Sequence, residues 1–474
     1  MGDFFKPTVG WAGDVTPYYK DGVFHLFDLV DRRESPQDYT NAIAHGPDGP
    51  LQWHHLTTND FVHYEDHGPI LPQGKIDEQD YSVGTGSVIE RNGIFHLFHT
   101  GINEQLPVQQ KIIHATSKDL YHWQKDKEFL LCADKKRYEK NDWRDPFVFW
   151  NENRNEYWML IAARFKSGPD LRRGCTALAA SKDLSSWELR EPFWASWLYY
   201  THECPDLFKM GDWWYFVFST FSHQFETHYR MSKSLEGPWI CPKIDTFDTR
   251  AFYAAKTASG GSRRFIFGWN PTRENDSDQG QWQWGGNLVV HEVLQDADGQ
   301  LKVDLPDEIE RSFPLPGRVD PVFRLGKGIR EAGQYTLDGT QGFSWLDLGD
   351  LDVDEGILLR ARLSFSEGTH NFGLILRSDI EQGDHYQLRF EPHRNRMVFD
   401  HFPRKGDMPY MLERPLDLRP RKIFDIKTIL CRSIVETYVD HSMALSARAY
   451  HNANRCCGFF AAEGTLRIHE IKVQ

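Results

Sequence analysis

Three acidic residues stand in short motifs that contain proline. Asp14 lies in Gly-Asp-Val-Thr-Pro, Asp145 in Arg-Asp-Pro, and Glu203 in Glu-Cys-Pro-Asp. If a fold gathers such groups, each charge raises the pKa of the others, so we expect the cluster only where it does chemistry. Two carboxylates on opposite sides of a glycosidic bond can provide a general acid and a nucleophile or base. The three residues therefore predict acid/base catalysis, provided that the fold brings them together.

A short apolar strand recurs after each of these residues. Its five copies begin at Phe24, Phe95, Tyr157, Trp214 and Phe265. Most follow a turn such as Asn-Gly or Asp-Gly, which is typical of a β-hairpin. Counting back 10, 10, 12, 11 and 12 residues from these strands reaches Asp14, Thr85, Asp145, Glu203 and Tyr253. The spacing predicts that all five residues occupy one equivalent position.

A second repeat alternates with the apolar strand. It runs from a small polar residue through Asp or Ser and Leu or Phe to an aromatic residue, and its copies end at Tyr64, Trp123, Trp187 and Trp239. Units of roughly 50–70 residues with several short strands are typical of propeller blades. Five copies predict an all-β, five-bladed β-propeller. Because a rotation axis relates the blades, equivalent residues that face this axis would converge in one funnel.

The composition excludes several classes of function. The chain has 474 residues and a net charge of −13, so we do not expect it to bind nucleic acid. No apolar run approaches the length of a membrane span, and the N-terminus has no signal-peptide pattern. The seven cysteines show neither a disulfide framework nor a zinc pattern, which predicts reduced thiols in a cytoplasmic protein. The 16 tryptophans are expected to pack mostly between blades.

The C-terminal part of the chain predicts a second all-β domain. Its boundary falls where Phe-Pro-Leu-Pro-Gly interrupts any regular element at residues 313–317. Beyond it, apolar and polar residues alternate over 359–365 and over 386–391, as in a sheet with one buried face. We therefore predict a propeller over residues 1–312 and a β-sandwich over 325–474. The sandwich carries no evident catalytic cluster, which favours a role in packing support.

The acidic motifs resemble those of glycoside hydrolase family 32, which includes invertases, inulinases and levanases. The motifs at 144–146 and 203–207 carry the resemblance in this order, and Phe-Tyr-Ala-Ala-Lys at 252–256 followed by Gly-Trp at 268–269 extends it. The stretch 435–440 is similar to that family's C-terminal sandwich. The resemblance implies a five-bladed propeller and a retaining hydrolase. The expected substrates are oligosaccharides with terminal furanosides, β-fructofuranosides above all.

The resemblance also assigns roles to the candidate residues. Asp14 matches the nucleophile, and Glu203 matches the acid/base residue that protonates the leaving oxygen and then activates water. Asp145 matches the residue that stabilises the oxocarbenium-like transition state, with Arg144 helping. The other candidates for substrate binding are Thr85, Tyr253 and Trp53. No metal or organic cofactor is implied, and the 21 histidines show no ligand spacing.

The first motif departs from the family pattern, which is typically Trp-Met-Asn-Asp-Pro-Asn-Gly. Here it is Trp-Ala-Gly-Asp-Val-Thr-Pro, so Gly13 replaces an asparagine that usually contacts the sugar. Leu29 stands near the place of a glutamine, and Thr85 lies where a Phe-Ser-Gly-Ser motif has lost its ring. Loss of a hydrogen-bond partner can change selectivity by orders of magnitude. The motif thus predicts the hydrolysis of a glycosidic bond more strongly than the identity of the sugar that is bound.

Two alternatives to a fructofuranoside hydrolase stay open at the level of sequence. The same propeller could transfer a fructosyl group to a sugar hydroxyl in place of water, or cleave another furanoside such as an arabinofuranoside. It could also be a sugar-binding propeller without activity. All three acidic residues are present, and this argues against the binding protein.

Overall fold

The structure is a computed structural model that describes residues 4–33, 50–404, 411–451 and 455–474. Regular structure in these ranges is almost entirely β, with 33 strands and one short helix, α1 (Asp307–Ser312). No helix among the described residues has the length and apolar character needed to cross a bilayer. The all-β class predicted from the alternating patterns is therefore confirmed.

The first nineteen strands form five consecutive antiparallel groups. The first contains β1 (Trp11–Lys20), β2 (Val23–Asp31), β3 (Trp53–Thr58) and β4 (Glu65–Pro69). The second contains β5 (Ser82–Arg91), β6 (Ile94–Ile102), β7 (Gln110–Ser117) and β8 (Trp123–Leu131). The third contains β9 (Tyr138–Asn151), β10 (Glu156–Phe165), β11 (Gly174–Ser181) and β12 (Glu188–Leu189). The fourth contains β13 (Glu203–Met210), β14 (Trp213–Thr220) and β15 (Glu226–Ser232). The fifth contains β16 (Tyr253–Gly260), β17 (Arg263–Arg273), β18 (Trp282–Gln295) and β19 (Leu301–Asp304).

The first strands of the five groups surround a common axis. Strand β1 contacts β5, β5 contacts β9, β9 contacts β13, β13 contacts β16, and β16 contacts β1. The fifth group also pairs with the first through Ala12 and Gly286. This circle of inner strands is the arrangement of a propeller, in which side chains from different groups meet at the centre. The five recurring apolar strands predicted from the sequence are the second strands, β2, β6, β10, β14 and β17.

The C-terminal strands form two sheets of seven. In spatial order, the first contains β20 (Val322–Leu325), β23 (Phe343–Asp350), β32 (Cys456–Ala462), β25 (Asn371–Ser378), β26 (His385–Glu391), β27 (Arg396–Phe402) and β28 (Leu412–Pro415). The second contains β21 (Lys327–Glu331), β22 (Gln334–Asp338), β33 (Thr465–Val473), β24 (Ile357–Phe365), β29 (Phe424–Cys431), β30 (Ile434–Val439) and β31 (Met443–Arg448). Apolar residues of both sheets fill one shared core, as in a sandwich.

The predicted alternation is confirmed in β24 but not in β26, where Gln387 and Glu391 are buried as well as the apolar residues, because both faces of that strand are covered. The apolar residues of β24 at 359, 361, 363 and 365 are all buried, whereas the arginines at 360 and 362 are partly or fully exposed. Strand β20 pairs with β23 and so belongs to a sandwich sheet. The domain bounds 1–312 and 325–474 stay a prediction.

The sandwich packs directly on the propeller. The buried guanidinium group of Arg448 donates to the carbonyls of Asn270 at 2.8 Å and Pro271 at 2.6 Å. Arg414, also buried, donates to the carbonyl of Thr246 at 3.0 Å. Buried donors to backbone carbonyls hold two surfaces in one orientation, because separation would leave both partners without hydrogen bonds.

Candidate active site

Each inner strand of the propeller has an irregularity at the same place. Pairing shifts between Ala12 and Val15 in β1, and at corresponding points it shifts in β5 around Thr85, in β9 after Arg144, in β13 after Glu203 and in β16 after Tyr253. An extra residue at a β-bulge bends the strand and turns a side chain in a new direction. Five such bulges face the axis, and the candidate residues lie at them or directly beside them.

The bulges correct the predicted equivalence of the three acids. Asp145, Cys204 and Ala254 have positive φ angles of 57°, 49° and 51°, which marks them as one structural position. Glu203 lies one residue earlier, level with Arg144 and Tyr253. The prediction that Glu203 and Tyr253 are equivalent to Asp145 is therefore wrong by one residue. The counting rule failed because the turn between β9 and β10 has four residues, whereas the turn between β13 and β14 and the turn between β16 and β17 have two.

Asp14 lies in a layer of neutral hydrogen-bond donors. The hydroxyl of Thr85 donates to its Oδ2 at 2.9 Å, and the indole nitrogen of Trp269 donates to its Oδ1 at 3.3 Å. The thiol of Cys204 lies 3.7 Å from Oδ2 of Asp14 and 3.8 Å from Oδ2 of Asp145. The bulges of four propeller groups thus bring the carboxyl groups of Asp14 and Asp145 close to the thiol of Cys204.

Glu203 lies in a second layer, formed by the residues before the bulges. Arg144 donates from Nη2 to Oε1 of Glu203 at 2.9 Å, and the Tyr253 hydroxyl donates to Oε2 at 2.5 Å. The same guanidinium donates to Asp142 at 2.8 Å and lies 3.8 Å from Asp145. Both oxygens of Glu203 are therefore held by side chains from neighbouring groups.

Burial and like charges act strongly on Asp14. Burial raises the pKa of Asp14 to about 7, and the charges of Asp145 and Glu203 add to this effect. The hydrogen bonds from Thr85 and Trp269 act in the opposite direction, because they favour the ionised carboxylate. Asp14 thus changes its charge near neutral pH.

Two cations lie on the same inner strands, the partly exposed Arg144 and the buried Lys256. Arg144 contacts Glu203 directly. Lys256 is 2% exposed and donates from Nζ to the carbonyl of Gly86 at 2.6 Å. Burial lowers the pKa of Lys256, while burial raises the pKa of Asp145 against the opposing charge of Arg144. The guanidinium group of Arg144 thus makes its hydrogen bonds with Glu203 and Asp142, in the layer that contains Glu203.

The structure brings together six of the seven predicted site residues. Asp14, Thr85, Asp145, Arg144, Glu203 and Tyr253 are connected through the contacts above. Trp53 is 1% exposed, and its indole nitrogen donates to His99 at 3.1 Å. Within the described ranges it makes no hydrogen bond to the three carboxyl groups, so a sugar contact for Trp53 stays a prediction.

Sequence reasoning missed the roles of three neighbours. Trp269 binds Asp14, Cys204 lies between two carboxyl groups, and Asp142 binds Arg144. A signal for Trp269 was present, because the Gly-Trp motif at 268–269 belongs to the family resemblance, and the structure pairs Trp269 with Tyr253. Asp142 lies two residues before Arg144, so its side chain returns to the same face of the strand.

The replacement at Gly13 has a structural partner. A Cβ atom at Gly13 would lie 1.9 Å from Cη2 of Trp284 and 2.5 Å from the carbonyl oxygen of Leu29. No side chain fits there, because contacts under 3 Å require the neighbour to move. The indole of Trp284 thus fills the space beside Asp14 where the family pattern places an asparagine.

Two family models match the chain. Residues 4–303 match the "Glycosyl hydrolases family 32 N-terminal domain", and residues 336–474 match "Glycosyl hydrolases family 32 C terminal". The chain belongs to glycoside hydrolase family 32. It is therefore a glycosidase that acts on O-glycosyl bonds, and the predicted family is confirmed.

Individual relatives of this family 32 enzyme are distant. Raffinose invertase of Escherichia coli is 24% identical, with 97% of this chain and 91% of the relative covered. The levanbiose-producing levanase of Bacillus subtilis is 22% identical, with 90% and 81% covered. The crystal structure of fructan 1-exohydrolase IIa from Cichorium intybus matches with a TM-score of 0.72 at 16% identity and covers 99% of this chain and 97% of that one. This likeness shows the fold, a propeller followed by a sandwich.

Proposed function

We propose that this family 32 enzyme hydrolyses terminal β-fructofuranoside linkages in oligosaccharides with retention of configuration. The observation that carries the proposal is the pair of layers in the funnel. Asp14 and Glu203 belong to different layers, and each is held by its own donors. A retaining mechanism needs such a pair, because one carboxylate must bond to the anomeric carbon while the other handles the proton of the leaving group.

The first step forms a covalent intermediate. An oxygen of ionised Asp14 attacks the anomeric carbon, and the bond from this carbon to the leaving oxygen breaks. Protonated Glu203 gives its proton to that oxygen, so the leaving group departs as a neutral alcohol. The product of this step is an ester between the sugar and Asp14, with Glu203 now ionised.

The second step releases the sugar. Glu203 takes a proton from water, the water oxygen bonds to the anomeric carbon, and the bond to Asp14 breaks. Two displacements at one carbon restore its original configuration. Asp14 is ionised again, Glu203 is protonated again, and the enzyme is ready for another substrate.

Arg144 and Asp145 support both steps in this proposal. The carboxylate of Asp145 can accept hydrogen bonds from sugar hydroxyls, and its charge stabilises the positive charge that develops on the ring. Arg144 holds Glu203 at 2.9 Å and Asp142 at 2.8 Å, so the acid/base residue keeps one orientation. Preorganised charges of this kind need no rearrangement when the reaction occurs.

The relatives support fructose as the sugar released. Their names are raffinose invertase, sucrose-6-phosphate hydrolase and levanase, all hydrolases of fructose-containing sugars. Transfer to a sugar acceptor and cleavage of arabinofuranosides are not favoured by these names. We also propose a cytoplasmic location, since all seven cysteines are free, as in reducing compartments.

The test compares Glu203→Gln with Glu156→Gln, a control at a partly buried glutamate outside the funnel. Sucrose, 1-kestose and levan are supplied, and nuclear magnetic resonance records which anomer of fructose appears first. We expect the parent and the control to release the β-anomer, and Glu203→Gln to release almost none. Release of the α-anomer would exclude retention, and unaltered turnover by folded Glu203→Gln would exclude the assignment of Glu203.

A further inference from the structure

An exposed tryptophan lies close to Glu203 in the chain. Trp197 is 44% exposed and has a φ angle of 57°. Its indole stacks on Phe165 with centroids 5.1 Å apart and planes at 23°. A Cβ atom at Gly168 would lie 2.6 Å from Cζ3 of this indole, so the glycine permits the close approach. Positive φ is unfavourable for a bulky side chain. The ring is thus fixed in one orientation although it remains open to solvent.

The position of this ring follows from the strands beneath it. Ala162 of β10 pairs with Arg144, and Phe165 lies three residues further along the same strand. Three residues of extended chain span about 10 Å. Trp197 stacks on Phe165 and therefore lies at the end of β10 that is about three residues beyond the level of Arg144.

A chain of ion pairs connects this segment to the acid/base residue. Arg144 binds both Glu203 and Asp142, and Nε of Arg164 lies 3.6 Å from Asp142. Arg164 then donates to the carbonyl of Tyr200 at 2.9 Å, and its guanidinium lies 3.5 Å from the centroid of that ring. The segment that carries Trp197 is thus anchored to the groups that hold Glu203.

We propose that Trp197 is a binding platform for sugar units of the substrate on the leaving-group side of the cleaved bond. The proposal rests on the proposed function, because a general acid must stand on that side in order to protonate the leaving oxygen. The apolar face of a sugar ring can stack on an exposed aromatic ring and bury it from water. Because Phe165, on which Trp197 stacks, lies about 10 Å along β10 beyond the level of Arg144, the platform meets units beyond the one directly attached to the cleaved bond. The implied substrates are oligosaccharides longer than a disaccharide.

The kinetic test compares Trp197→Ala with Trp150→Ala. Trp150 is a control of similar exposure, since it is 39% exposed, contacts Tyr157 edge-to-face with centroids 4.7 Å apart, and lies at the turn end of the β9–β10 hairpin, opposite to Phe165. We measure kcat and KM with sucrose, 1-kestose and the tetrasaccharide nystose. Trp197→Ala should lower kcat/KM about tenfold for nystose, mainly through KM, and change the value for sucrose less than about twofold. The control should change neither.

Binding to an inactive enzyme separates this proposal from the proposed function. In the Glu203→Gln background, calorimetry should find that Trp197→Ala weakens the binding of nystose and leaves that of sucrose unchanged. Equal losses for both sugars, no loss for nystose, or no binding of nystose to Glu203→Gln itself would overturn the platform. If the parent hydrolyses no fructoside while this difference in binding persists, the proposed reaction fails and the binding site stands.

Discussion

Asp14 and Glu203 are carboxyl groups of the same funnel, yet their surroundings differ. Asp14 receives hydrogen bonds from the neutral groups of Thr85 and Trp269, whereas Glu203 receives them from the cation Arg144 and from Tyr253. The difference arises from the place of each residue at its bulge, because Glu203 directly precedes the bulge of β13 whereas Asp14 lies within the bulge of β1. It shows how five copies of one strand can build two chemically distinct layers, which a reaction with a nucleophile and a proton donor requires.

Removal of the Asp14 carboxyl tests the comparison most severely. Asp14→Asn should lower kcat by at least about 10⁴-fold, because the neutral amide of asparagine cannot attack the anomeric carbon as a carboxylate does. Turnover of sucrose or nystose by the purified, folded variant is the measurement. Activity within tenfold of the parent would show that Asp14 is not the nucleophile.

The same variant has a consequence for stability. The pKa of Asp14 is raised to about 7, above its value in the unfolded chain. This group therefore favours folding most at pH values below the unfolded pKa, and that contribution is lost as the pH rises through about 7. Asp14→Asn should melt a few degrees higher than the parent at pH 8, with little difference near pH 4. A melting temperature of Asp14→Asn below that of the parent at pH 8 would show that the ionised carboxylate of Asp14 does not destabilise the folded protein.

The hydrogen bonds that Arg144 makes in the layer of Glu203 can be weakened without removing the positive charge of this residue. Arg144→Lys should lower kcat about 10²-fold, because an ammonium group cannot bind Glu203 and Asp142 with the fixed geometry of a guanidinium. Arg263→Lys is the control and should keep parental kcat, because Arg263 lies at the β16–β17 turn and binds Glu292 and Glu308 rather than Glu203. Retention of full activity by Arg144→Lys would show that only the charge beside Glu203 matters.

The layer that contains Asp14 depends on the contact between Gly13 and Trp284. Gly13→Ala should destabilise the protein by about 1–3 kcal/mol and lower kcat/KM, because the methyl group and the indole compete for one space. Denaturant unfolding and kinetics on sucrose measure both effects. Gly13→Ala combined with Trp284→Leu should recover part of the lost stability. If the double variant is no more stable than Gly13→Ala, the indole is not what excludes a side chain.

The smallest expected effect is a shift in the pH profile. The Thr85 hydroxyl stabilises ionised Asp14, so Thr85→Val should raise the pKa of Asp14 further. If Asp14 must be ionised, the acidic limb of kcat/KM should move to higher pH by a fraction of a unit. The control Thr220→Val, at a buried threonine of β14, should leave the limb in place. Movement toward lower pH would contradict the assigned role of the hydroxyl.

Much of the fold was predictable from local patterns. Apolar strands after glycine turns predicted the second strand of every propeller group, and alternation at 359–365 predicted a buried face of the sandwich. These predictions succeed because hydrophobic periodicity and turn residues act over a few neighbouring positions. The acidic motifs likewise predicted which residues meet in the funnel.

The sequence by itself determined the repeats, the acids and the family, whereas only the tertiary structure decided how the acids are divided. Thr85 and Trp269 lie 71 and 255 residues from Asp14, so their hydrogen bonds exist only after the inner strands close around the axis. Glu203 seemed equivalent to Asp145 because the spacing to the next strand does not reveal that the β9–β10 turn is two residues longer than the β13–β14 turn. The separation of Asp14 from Glu203 arises when bulged strands of different groups meet around the axis, and so it is a property of the closed propeller.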